Sequence, residues 1–231
     1  MVTANSAGSV AMMGGAFDPV HVGHLRTALE LQTAFGLAEV RLVPSANPPH
    51  RAPHVGAADL RLRMLEAAVA DLDNVTIDAQ ELQREGPSYT VLTLQSLRSQ
   101  LGSRSLSMIV GMDAFLGLPR WHRWSELMTL AHIIVAHRPG WQPPQAGELA
   151  DFVMRHRAPS PAALHEQPAG LLFMHAVTQL DISSSAIRAQ LARGVSPRYL
   201  LPDAAMPLAQ QAACYVRPQP APIQEKPINA E

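Results

Sequence analysis

Residues 9–13 (Ser-Val-Ala-Met-Met) form an apolar run of strand length that empties through Gly14 and Gly15 into a segment where Leu25, Ala28 and Leu29 recur at helical spacing. A strand that feeds a helix directly, repeated along a chain, leads to one architecture above others: a mainly parallel sheet with helices packed on it. The repetition is present here. Strands are expected at 9–13, 39–44, 75–78, 106–111, 132–137 and 171–176, and helices at 24–35, 59–70, 90–101, 124–130, 184–192 and 207–215. The third helix carries Leu94, Leu97 and Leu101 on one face, as an amphipathic helix lying on a sheet requires. An α/β fold follows, with no internal repeat.

The remaining organisation is set by composition. With 231 residues, 47% of them hydrophobic and 16% charged, the chain can bury a substantial core as one domain or one domain with a small appendage. The expected layout is a flexible N-terminus over 1–8, a domain over 9–216 whose part from 182 to 216 is helical, and a Pro-rich, disordered tail over 217–231. A second Pro-rich and polar stretch, 142–167, is expected to wrap the surface with a short helix inside it. The formal charge of −1 and the scattered Lys and Arg residues provide no basic field for nucleic acid. Cys214 is the only cysteine, which excludes an intramolecular disulfide and a cysteine-based zinc site. No apolar run reaches membrane-spanning length and the first residues lack a secretory layout, so no membrane partner and a cytoplasmic location are expected.

Two places concentrate polar chemistry. At the first strand-to-helix join, Gly14 and Gly15 permit a tight turn and close approach of a ligand to the backbone, and the helix that follows offers N–H groups and the positive end of its dipole to an anion. His21 and His24, at i and i+3, can face that anion together. Near the C-terminus, Asp181-Ile182-Ser183-Ser184-Ser185-Ala186-Ile187-Arg188 puts three hydroxyls at a helix start and an arginine one turn in. Serines there cap a helix, but an arginine in the first turn opposes the dipole unless an anion is bound. Two such elements, one near each end of the chain, could clamp a polyphosphate.

Gly14 to His24, with His21-Val22-Gly23-His24, and Ile182 to Arg188 resemble in that order the two signatures of the HxGH nucleotidylyltransferase superfamily. Between them, 44–51, 86–90, 111–113, 119–121 and 137–140 resemble the corresponding segments of bacterial nicotinate-nucleotide adenylyltransferases, a similarity that runs from Val10 to Tyr215. The resemblance implies a Rossmann-like, doubly wound parallel sheet with a small C-terminal helical part. It implies transfer of AMP from ATP to nicotinate mononucleotide, giving nicotinate adenine dinucleotide and pyrophosphate. It also implies catalytic roles for His21, His24 and Arg188, and an ATP site drawing on Gly14, Gly15, Phe17, Gly111, Asp113, Arg138, Ser183, Ser184 and Ser185 as well. For the acceptor it implies His50, Arg51, Ser88, Tyr89, Thr90, Asp113, Trp121 and His122, with Trp121 stacking on the pyridine ring. His122 stands where the family often carries Tyr, and Ser185 where Thr is more usual.

This chemistry suits a site without an acid/base pair. A phosphate monoester with a second pKa of about 6 is already mostly dianionic at neutral pH, so it needs alignment and charge neutralisation rather than a general base. Mg²⁺ is expected to arrive with ATP, with no protein metal cage. Other readings remain: a relative acting on nicotinamide mononucleotide or phosphopantetheine, a non-catalytic nucleotide sensor on the same fold, or a metal site at His21 and His24. The sequence also leaves a homo-oligomer open.

Overall fold

A computed structural model of the chain describes residues 8–49, 53–137, 140–141, 143–178 and 180–216. Six strands, β1 (Val10–Gly15), β2 (Glu39–Pro44), β3 (Val75–Ile77), β4 (Leu106–Gly111), β5 (His132–His137) and β6 (Leu172–Ala176), pair in parallel in the order β3-β2-β1-β4-β5-β6. The helices are α1 (Val22–Phe35), α2 (Ala58–Val69), α3 (Gln80–Gln83), α4 (Thr90–Leu101), α5 (Met112–Leu116), α6 (Leu127–Leu130), α7 (Glu148–His156), α8 (Ser184–Leu191) and α9 (Met206–Gln211). The expected flexible residues 1–7 and the tail 217–231 lie outside the described residues.

Alternation along each strand shows why both faces are covered. Val10 and Met12 of β1, Met108 and Val110 of β4, and Ile133 and Val135 of β5 pack in one cluster with Val91, Leu94 and Leu97 of α4. Their neighbours Ala11, Ile109 and Ile134 point into a second cluster with Ala28 and Leu31 of α1, Met64 and Leu65 of α2, and Ile187 of α8. Central strands buried on both faces read in sequence as unbroken apolar runs. The expected doubly wound sheet is what forms.

Several boundaries differ from expectation for physical reasons. Gly14 and Gly15 are not the turn: they continue β1, pairing with Val43 and Pro44 of β2. The turn is made by the residues after them, and Phe17, at φ +46°, places its ring so that a Cβ on Gly15 would sit 3.0–3.2 Å from it. Helix α1 begins at Val22, with extended His21 as its N-cap. The expected helix 124–130 is divided into a 3₁₀ turn, Trp124–Glu126, entered from Arg123 in the left-handed region, and α6. The last expected helix stops at Gln211; extended Ala212 turns the chain so that Tyr215 is buried. In the Pro-rich stretch the short helix is α7.

The order of the strands fixes where a ligand can lie. The chain moves outward from β1 through β2 to β3, then returns to place β4 on the other side of β1. Helices leaving β1 and β4 therefore diverge to opposite faces, opening a crevice above the carboxyl ends of these two strands.

Candidate active site

That crevice is a cleft of about 1220 Å³, lined from the β1 end by Gly14, Gly15, Phe17, His21 and His24 and from the β4 end by Gly111 and Asp113. The rings of His21 and His24 stack with centroids 3.6 Å apart and planes 23° from parallel. His24 Nδ1 accepts the backbone N–H of His21 at 3.2 Å, which puts the proton of a neutral His24 ring on Nε2. His21 is 7% exposed, and burial lowers its pKa from 6.5 to about 4, so at neutral pH it is an uncharged imidazole. Its Nδ1 is buried without a hydrogen-bond partner among the described residues. Not every first-turn N–H of α1 is open to an anion, since that of Val22 donates to Leu200 O at 2.9 Å.

The second polar element meets the first through direct contacts. Ser184 Oγ donates to Pro19 O at 2.9 Å, and Arg188 Nη1 donates to Asp18 O at 2.5 Å. Arg188 also reaches Ser185 Oγ at 3.2 Å and lies 3.9 Å from Asp18 Oδ2. Contrary to expectation Arg188 stands in the last turn of α8, because the helix is only two turns long, so the dipole does not oppose its charge there; Asp18 adds a nearby negative charge. Ser184, Ser185 and Arg188 line the cleft. Ser183 does not; its hydroxyl caps α8 by accepting from Ala186 N at 3.2 Å.

On the opposite side Ser88, Tyr89, Thr90, Trp121 and His122 line the same cleft. Ser88 acts through the backbone: its Oγ accepts from Ala46 N and Asn47 N at 3.0 and 3.1 Å, tying the loop after β2 to the start of α4. Thr90 is the first residue of α4, where N–H groups are unpaired within the helix. Trp121 is half-buried, packed on the α4-side cluster while lining the cleft. His122 stacks on Tyr89, with ring centroids 4.2 Å apart and planes at 27°. His50, Arg51 and Arg138 lie outside the described residues.

Sequence reasoning passed over several residues that build this site. Asp18 is 4% exposed and accepts from Val55 N at 2.7 Å, Gly56 N at 2.9 Å and Tyr215 Oη at 2.5 Å. Arg61, 1% exposed, donates to Ala16 O and Gly56 O, holding the β1–α1 turn from beneath; burial lowers its pKa and the charge of Asp18 opposes that. Burial, reinforced by Asp18, raises the pKa of Tyr215 so that its hydroxyl remains a donor. Glu81, also buried, lines the cleft and accepts from Thr93 Oγ1 at 2.6 Å. Trp141 and His54 line the cleft as well, His54 Nε2 lying 3.2 Å from Ser45 Oγ. Only Asp18, inside the first signature, carried a signal in sequence.

Comparison with known proteins agrees with this geometry. The family described as Cytidylyltransferase-like matches residues 12–190. A protein of Methylococcus capsulatus named "Probable nicotinate-nucleotide adenylyltransferase" is 46% identical over 209 residues, covering 90% of this chain and all of its own. One of the same name from Halorhodospira halophila is 47% identical over 212 residues, covering 91% of this chain and 97% of its own. Among solved structures, the Plasmodium falciparum nicotinic acid mononucleotide adenylyltransferase complexed with NaAD superposes with a TM-score of 0.67 at 13% identity, over 90% of this chain and 97% of that one, a likeness of fold. The chain belongs to the cytidylyltransferase-like family, among its nicotinate-nucleotide adenylyltransferases.

Proposed function

We propose that the protein transfers AMP from ATP to nicotinate mononucleotide, forming nicotinate adenine dinucleotide and pyrophosphate. The observation that carries this reading is that one cleft brings the stacked His21–His24 pair and the Ser184–Arg188 element against a wall made by Thr90, Trp121 and His122. The relatives that share this sequence carry the name of that activity.

In the reaction a phosphate oxygen of the mononucleotide attacks the α-phosphorus of ATP, and the bond from that phosphorus to the bridging oxygen of pyrophosphate breaks. The dianionic acceptor needs no base. The barrier lies in bringing two anions into line while charge builds on the phosphoryl oxygens. His21 and His24 serve as preorganised hydrogen-bond donors to those oxygens, with no reorganisation of water at the moment of transfer. Arg188 and Ser185 hold the leaving β and γ phosphates, and Ser184 fixes α8 against the turn. Arg138 belongs to the same side in this reading. Gly111 and Asp113 receive the nucleotide ribose at the β4 end. Ser183 contributes indirectly, as the cap of α8.

On the acceptor side, the N-terminus of α4 at Thr90 receives the nicotinate carboxylate, which gains more there than a neutral amide. Trp121 provides the stacking surface for the pyridine ring, and His122 completes the pocket from its place on Tyr89. His50 and Arg51 are assigned to the mononucleotide phosphate. Mg²⁺, when bound with ATP, would supply neutralisation of the phosphate charge. In this reading the ion would be held by phosphate oxygens and water. No helix is long and apolar enough to cross a membrane among the described residues, and the cytoplasm is the compartment we assign.

Pyrophosphate release measured with ATP and, separately, nicotinate mononucleotide, nicotinamide mononucleotide and phosphopantetheine tests the assignment. Turnover should be fastest with the nicotinate form. Reaction with only the amide mononucleotide would overturn the substrate, and release with none of the three would overturn the activity.

A further inference from the structure

We propose that Glu81 is a positioning residue for the acceptor: through Thr93 it fixes the first turn of α4, and with it how strongly that turn takes the nicotinate carboxylate in preference to an amide. The proposal rests on the carboxylate role given above to the α4 N-terminus.

Glu81 is a carboxylate only 6% exposed, carried on the single turn α3. Its Oε1 accepts from Thr93 Oγ1 at 2.6 Å, and Thr93 is itself fully buried. The same threonine oxygen accepts from Arg84 Nη2 at 3.2 Å. A hydroxyl has one proton to give, so with the guanidinium donating to its oxygen that proton goes to Glu81. The bond is dry, directional and made to a carboxylate, which are the conditions for a strong one.

The turn that carries Glu81 is in turn fixed to β2. Asp78 N donates to Leu42 O at 3.0 Å, and the Asp78 carboxylate accepts from Gln80 N at 3.0 Å and from Gln80 Nε2 at 2.8 Å. Glu81 therefore ties α4 to the sheet.

Helix α4 needs such a tie, because its N-cap, Tyr89, makes no side-chain capping bond. Two bonds flank its start instead. Before it, Ser88 Oγ accepts from Ala46 N and Asn47 N. After it comes Thr93, three positions beyond Thr90 and so on the same face. Release of the Thr93 tie leaves the first turn free to shift, and hydrogen bonds from its N–H groups to a carboxylate weaken as their direction is lost.

Glu81 also lines the cleft, yet both substrates are anions that its own charge repels. What it gives to the acceptor comes through α4.

Steady-state kinetics on the full chain test this, with nicotinate and nicotinamide mononucleotides as separate acceptors at saturating ATP, beside thermal melting. Glu81→Ala should raise the KM for nicotinate mononucleotide by about tenfold and leave the KM for ATP within about twofold of wild type. The preference for acid over amide, as a ratio of kcat/KM values, should fall by about fivefold or more. Glu81→Gln keeps an oxygen that can accept from Thr93 and should stay within about twofold of wild type in both. Thr93→Val removes the hydroxyl from the other side and gives the same reading should Glu81→Ala fail to fold. A variant that melts lower yet keeps the acceptor KM and the preference overturns the positioning role, as does Glu81→Gln being as impaired as Glu81→Ala. A wild type with no preference for the acid removes the carboxylate role of α4 and the proposal with it, whereas a wild-type preference that survives in both Glu81→Ala and Thr93→Val removes the proposal alone.

Discussion

His24 accepts the backbone N–H of His21 while its ring lies flat against the ring of His21. The two histidines are thus one rigid unit. The first is too buried to take a proton at neutral pH, and the second is fixed in tautomer by the first. Both are better suited to donating hydrogen bonds than to moving protons.

His24→Ala should lower kcat by about 10²–10³-fold, the range typical of removing one preorganised donor to a developing anion. Loss of the bond to His21 N should cost only about 1 kcal/mol of stability. Steady-state turnover and thermal melting, measured together, check the pair of expectations. A variant with near-normal kcat would remove the residue from the chemistry.

The burial of His21 has a pH signature. Its folded pKa of about 4 lies below the ordinary 6.5, so between these values the unfolded chain binds a proton that the folded protein refuses. The stabilisation from keeping this ring neutral is complete above pH 6.5 and is lost as pH falls toward 4, by up to about 3 kcal/mol. Urea unfolding at pH 7 and pH 4.5 should show a larger loss for the wild type than for His21→Asn. Equal losses would mean that the ring is not buried as described.

Trp121→Ala should raise the KM for the mononucleotide by about tenfold, corresponding to roughly 1.4 kcal/mol of lost stacking and contact. The KM for ATP should stay near its wild-type value. Because Trp121 also packs on the α4-side cluster, a fall in melting temperature is expected in addition. A fall in stability with unchanged acceptor KM would return the ring to the core alone.

Gly23→Ala tests how closely the histidine unit is held. A Cβ at Gly23 would stand 3.1 Å from His21 Nδ1 and 3.2 Å from its Cε1, tighter than normal packing. The ring must shift by a few tenths of an ångström. Such a shift should lower kcat by roughly 10-fold or more, as misplacement near the reacting atoms does, while helix propensity favours Ala over Gly. Crystallography of the variant with its kinetics would show whether the ring moves and the rate falls together.

Strands buried on both faces were readable because their sequences are nearly continuous apolar runs: 106–111 and 132–137 form as expected, as do the helix 90–101 and the strand 39–44, whose half-buried Glu39 and Arg41 alternate with Val40 and Leu42. Single-turn helices were not. Gln80–Gln83 and Met112–Leu116 are too short for a helical period to show. The two phosphate-type elements were visible because each is local, with its glycines, histidines, serines and arginine within a dozen residues. Asp18, Arg61, Glu81 and Tyr215 were missed for the opposite reason. Tyr215 and Asp18 are bonded across 197 positions, and in sequence a buried charge looks like a solvated one. The glycines at 14 and 15 show a third kind of error. They were read as a turn but complete a strand, and the space a Cβ on Gly15 would take is filled by the Phe17 ring.

The contacts from Leu200 to Val22 and from Tyr215 to Asp18 join the last described residues to the first turn of the fold. During synthesis His21 and His24 emerge from the ribosome early, yet two groups that hold the turn around them arrive at the end. A chain cut short after α8 would carry both signature elements and still leave Asp18 without the Tyr215 hydroxyl and the Val22 N–H without Leu200 O. A premature stop in the final segment should therefore yield a protein with the right sheet and an idle active site.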